Sequence, residues 1–316
     1  MKKITIFLLL LNVIYAQKPI LSIEINGTAK DMVLREKELV IGTDNGLLQI
    51  YNYEDKKFTK SISLPKIKDF MGDIIAPIVF SVDKLEKRYL LLSESGSGGY
   101  SNLWISKEDN LTQLITANNR QSAIKARFID KNHVLLGLLS NEALLFDIEH
   151  KKEIYRMQLS ESKFSDFALN EDKTKAVFSC ESGILNVIET KTGKIVHELK
   201  GVNLDNVYKV AFQNNIITGA GQDRKGSIYN LKNSKNDHIQ GSFLIYATAI
   251  SPTTKRVAFS MDEQNNISIY NRKTNSKIAE LKGQKSTLNT IIFKDENILF
   301  SASEDSTILM WDLRKN

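Results

Sequence analysis

The sequence has 316 residues, 43 Lys and Arg against 37 Asp and Glu, and a single cysteine, Cys180. One thiol excludes an intramolecular disulfide, so stability has to come from packing. The formal net charge of +6 falls to +4 without Lys2 and Lys3, too small an excess to point to nucleic acid.

In chain order, residues 1–16, MKKITIFLLLLNVIYA, predict a secretory signal peptide. Lys2 and Lys3 give the charged start, Ile4 to Leu11 the apolar run, and Ala16 the small residue before cleavage. The apolar run is too short to span a bilayer comfortably. No cysteine follows Ala16 to carry a lipid, and no Arg pair precedes the apolar run, so the chain is expected to be exported unfolded and without a preloaded cofactor.

From Tyr51 onward one pattern recurs: a short alternating strand that carries a large residue near its end. The marks are Tyr51, Trp104, Phe146, Ile188, Tyr229, Tyr270 and Trp311, spaced by 53, 42, 42, 41, 41 and 41 residues. A period that regular predicts seven copies of one supersecondary unit. Each unit offers four strands; in the sixth they read 246–251, 256–261, 267–272 and 277–281. The seventh stops after its third strand, and ILSIEING at 20–27 matches the fourth strands KIVHELKG and KIAELKG. An N-terminal strand is therefore predicted to complete the last unit and cover its open edge.

The single long spacing falls in the second unit. Its extra residues lie in the connection 65–76, PKIKDFMGDIIA, and in the turn 93–102, SESGSGGYSN. Both connect strands at the same end of the unit, so they should emerge side by side. Phe70, Met71 and Tyr100 there are candidate partner contacts, as are Arg224 and Lys225 in the fifth unit's turn on the same face. Gly96, Gly98 and Gly99 lack the Lys-Ser/Thr and the following helix of a phosphate loop. Turns at the opposite end hold fourteen Lys and Arg against eight Asp and Glu, whereas the second-to-third strand turns hold nine acids against two bases. Lys57, Lys107, Lys152, Lys191, Lys235 and Lys273 mark this candidate basic face, which would suit weak, salt-sensitive association with anionic membrane surfaces or an acidic protein.

No catalytic or metal-ligating set emerges. His133, His150, His197 and His238 occupy different structural slots and are not spaced as a metal pair, and there is no Gly-x-Ser-x-Gly elbow. Asp44, Glu94, Glu142, Glu181, Asp223, Asp262 and Asp305 recur in second-to-third strand turns. A cation-binding ring and a turn-capping role both fit them, and capping is the expected one.

The last unit, SASEDSTILMWDLR, resembles a WD40 repeat through Ser301, Ser303, Asp305, Thr307, Trp311 and Asp312. That resemblance implies an all-β, seven-bladed β-propeller over residues 17–316. The usual Gly-His before the first strand is replaced by Gly283-Gln284, which puts the family's His-centred hydrogen-bond network in question. The whole chain is also similar to the exported WD-repeat accessory proteins of bacterial periplasmic nitrate reductases. This likeness implies a monomeric, non-catalytic periplasmic scaffold that assists the molybdenum and haem enzyme without binding a cofactor itself. An envelope-assembly propeller scaffold and a propeller lactonase with a channel metal are the alternatives.

Overall fold

A computed structural model describes residues 16–108 and 110–315. The predicted signal peptide, apart from Ala16, lies outside the described residues. Seven four-stranded antiparallel sheets follow one another around a ring, which makes the protein a seven-bladed β-propeller. Blades 1 to 6 each take four consecutive strands, beginning at Ala29, Val79, Ala123, Phe164, Val207 and Thr248. Helical structure among the described residues is limited to one 3-10 turn, Ala117–Asn119.

Blade 7 closes the ring as the sequence predicts. Leu21–Glu24 pairs antiparallel with Thr307–Asp312, with Leu21 opposite Met310 and Ile23 opposite Ile308. The structure adds a strand that the sequence did not suggest. Ala16–Gln17 pairs in parallel with Ser276–Leu281, so blade 6 has a fifth strand. Gln17 is buried, its side chain donating to the Leu313 carbonyl at 3.3 Å. The N-terminal segment thus secures the outer edges of two neighbouring blades.

The core is divided among the seven blade junctions. Each hydrophobic cluster joins two adjacent blades, and each contains one of the seven periodic marks or, for Trp104 and Tyr270, has it packed against its edge. Trp311 packs with Ile267 and Ile269 of blade 6, Phe146 with Leu90 and Leu103 of blade 2, and Tyr229 with Val177 and Val187 of blade 4. Tyr51 meets Phe300 and Ile308 of blade 7, where Ile23 and Ile25 of the closing strand are also buried. This explains the period: every third strand needs a large residue facing the preceding blade, because a single twisted sheet cannot bury its own faces. The fourth strands form the rim and are largely exposed, as in Lys57–Ser63 and Lys152–Gln158.

Candidate functional site: the insertion face and the central channel

Blade 2's long connection is an ordered feature. Ile67–Lys68 and Ile74–Ile75 pair as a small antiparallel hairpin. At its tip the Asp69 carboxylate accepts the N–H groups of Met71 at 2.9 Å and Asp73 at 2.8 Å. An aspartate that binds the backbone two residues on favours such a turn. The hairpin is also buttressed. A Cβ at Gly96, which has a φ of +76°, would come within 2.3 Å of the Lys68 carbonyl oxygen. Only glycine lets the 93–102 turn approach the hairpin that closely.

This frame holds apolar side chains out in solvent. Phe70 is 93% exposed, Met71 74% and Ile74 63%. Tyr100 behaves differently: it is half-buried and its ring lies over Gly98. Its carbonyl accepts the Ser95 hydroxyl at 2.7 Å, so Tyr100 belongs to the support of the turn. Arg224 and Lys225 share the face but sit three blades away, across the ring from the hairpin. Arg224 is exposed, whereas the Lys225 ammonium donates to the Val202 carbonyl at 3.0 Å and so fastens its own loop. Ile74, and Leu204 at 74% exposure in the connection between blades 4 and 5, are surface apolar residues that the sequence reading did not single out.

Turn carboxylates on this face bind backbone within their own neighbourhoods. Asp44 accepts the Thr28 N–H at 2.8 Å, Asp262 the Asn266 N–H at 2.9 Å and Asp305 the Thr307 N–H at 2.7 Å. Two histidines pair with carboxylates in turns of the opposite face: Nδ1 of His133 lies 2.8 Å from an Asp130 carboxylate oxygen and that of His150 lies 2.8 Å from one of Asp147. In blade 7 the network in question is present in altered form. The Gln284 amide donates to the Ser301 hydroxyl at 2.7 Å and accepts from Ser303 at 2.9 Å. The Trp311 indole N–H also donates to Ser301, at 2.8 Å. Glutamine thus supplies the donor and the acceptor that bridge the two serines.

Lys57, Lys107, Lys152, Lys191, Lys235 and Lys273 are all exposed and lie at or beside third-to-fourth strand turns, on one face. The first-to-second strand turns open on that face too. They bring acids such as Glu36, Glu86 and Glu171 beside Lys37, Lys87 and Lys173, which tempers the basic field without reversing it.

The central channel holds a cavity of about 400 Å³, walled by first strands. Its wall carries charges that the sequence reading passed over. Asp31 receives two bonds from the Arg127 guanidinium, at 2.8 and 2.9 Å, and the Val82 N–H at 2.9 Å. Asp83 receives the Phe128 N–H at 3.0 Å and Arg35 at 2.7 Å. Asp166 receives the Val210 N–H at 3.0 Å and pairs with Lys125. In each case a carboxylate on one first strand binds the backbone of the next, so these aspartates staple neighbouring blades together around the channel. Burial works against the Asp31 carboxylate's charge, but Arg127 outweighs it and brings the pKa down to about 2. Lys125 is pushed down to about 8, mainly by burial, with Asp166 opposing and the charges of Arg127 and Lys209 adding to the effect. One signal could have revealed this layer: charged residues interspersed among the apolar residues of first strands, as in AKDMVLR, AIKARF and VYKVAFQ. No family model matches the chain.

Proposed function

We propose that the protein is a non-catalytic interaction scaffold of the periplasm, exported by a cleaved signal peptide, which docks a protein partner through the blade 2 hairpin. The observation that carries this reading is the buttressed display of Phe70, Met71 and Ile74. Exposed aromatic and Met side chains on a preorganised support are typical interface anchors, because little ordering entropy remains to be lost on binding. Asp44, Asp262 and Asp305 bind local backbone and two of the four histidines pair with turn carboxylates, which supports a structural role for them. The likeness to exported WD-repeat accessory proteins makes a component of periplasmic nitrate reductase the partner we propose, with the scaffold assisting its assembly or activity.

Affinity capture from a periplasmic extract tests the reading. The wild-type protein should retain the reductase component, and the joint substitution of Phe70, Met71 and Ile74 by Ala should abolish capture while the circular dichroism stays unchanged. Undiminished capture by that variant would remove this face from consideration. Retention of outer-membrane assembly proteins in place of the reductase would favour the envelope scaffold.

A further inference from the structure

The central channel carries more positive charge than its own carboxylates neutralise. Lys125, Arg127 and Lys209 line it together with Asp31 and Asp166. Arg127 and Asp31 form a two-bonded pair, and Arg127 further donates to the Ser81 hydroxyl and the Val82 and Ala126 carbonyls. Lys125 pairs with Asp166 and lies 5.5 Å from the centre of the Phe167 ring. An ammonium has three N–H donors, so Lys125 keeps donors to offer after this contact. Lys209 follows an irregularity in the first strand of blade 5 and lines the cavity, yet its ammonium has neither a carboxylate nor a hydrogen-bond acceptor among the described residues. Toward the basic face, Lys173 donates to the Phe128 carbonyl at 2.8 Å and forms no close ion pair with a carboxylate among the described residues.

A half-buried cation without a counter-charge is unfavourable in a walled cavity, where screening is weaker than in bulk water. A bound anion would remove that penalty. We propose that the channel binds one small oxyanion, of the class of phosphate or a compact carboxylate, between the ammonium groups of Lys209 and Lys125. The volume of about 400 Å³ lies in the range of small-molecule sites and admits an oxyanion with a modest organic group attached. Lys209 is the primary electrostatic anchor, because no close ion pair or hydrogen bond holds its ammonium among the described residues. Lys125 contributes directed hydrogen bonds. This site is independent of the hairpin and stands or falls separately from the docking role.

Calorimetric titration of the purified protein with inorganic phosphate, at constant ionic strength in chloride, tests the inference, and acetate forms a parallel arm. One phosphate per chain should bind, at least tenfold more weakly in Lys209→Met and with near wild-type affinity in Lys209→Arg. Acetate bound in the same Lys209-dependent way would assign the site to carboxylates in general. A second readout uses amine acylation followed by mass spectrometry: phosphate should slow labelling of Lys125 but not of Lys57. Failure of both anions to bind, binding unchanged in Lys209→Met, or Lys125 labelling indifferent to phosphate would each overturn the proposal.

Discussion

Replacing Asp31 by Asn probes the staples that join the blades. The carboxylate is buried and accepts the bidentate Arg127 guanidinium, the Ser81 hydroxyl at 3.0 Å and the Val82 N–H. An amide is uncharged and turns an NH2 group toward one side of this site, so the Arg127 cation would remain buried without a counter-charge. Breaking a buried pair from one side typically costs about 3–5 kcal/mol. Arg127 keeps its bonds to Ser81, Val82 and Ala126, which places the expected loss at the lower end, about 3 kcal/mol. The pH dependence follows from the depressed pKa. Asp31 titrates near 2 in the folded protein against 3.8 for a free side chain. Its stabilisation is therefore complete above pH 4 and is lost as the pH falls through 2. The difference corresponds to about 2 kcal/mol over that window. Urea unfolding followed by fluorescence, at pH 7 and at points between pH 4 and 2, reads both quantities. Asp31→Asn should lower stability at pH 7 and flatten the acid limb, and adding Arg127→Met should recover part of the loss. A loss below about 1 kcal/mol, or losses that simply add in the double variant, would refute the staple.

Three further outcomes follow from the geometry. Removing residues 17–25 should expose the outer edge of Thr307–Asp312 and sharply lower the melting temperature, and an unchanged melt would contradict closure by the N-terminal strand. Gln284→Leu should cost about 1–3 kcal/mol in urea unfolding, because the buried Ser301 and Ser303 hydroxyls each lose a partner, whereas a loss within error would show that the bridge is not stabilising. Charge reversal of Lys57, Lys152, Lys235 and Lys273 to Glu should eliminate salt-sensitive sedimentation with anionic vesicles; binding that persists in that variant, or ignores salt, would reduce the basic face to a solubility device.

The ring itself was legible in the sequence because its cause is local and repeated. Each third strand must present one large residue to the preceding blade, so Tyr51 through Trp311 recur at the period of the unit. The closing strand was legible because a missing fourth strand leaves an edge, and ILSIEING has the pattern to fill it. The two insertions showed as extra length, but their mutual packing depends on Gly96 meeting Lys68 and has no signature in either segment alone. Tyr100 looked equivalent to Phe70 by residue type, yet only Phe70 is carried beyond the turn of its hairpin. The charged layer of the channel was illegible for a different reason. Asp31 and Arg127 are 96 residues apart, and nothing in either strand alone marks the other as its partner. Their pairing exists only once three blades curve round a common axis. Likewise, Gln284 was visible as a departure from the repeat, but its two-sided bridge between Ser301 and Ser303 required the folded blade.

Hydrogen exchange on the protein with and without its captured partner tests the docking surface most directly. The account predicts that protection on binding concentrates at 67–75 and in the adjoining 93–102 turn, with the first-to-second and third-to-fourth strand turns of the opposite face unchanged. Protection confined to that opposite face, with the amides around Phe70 and Met71 exchanging as in the free protein, would contradict it.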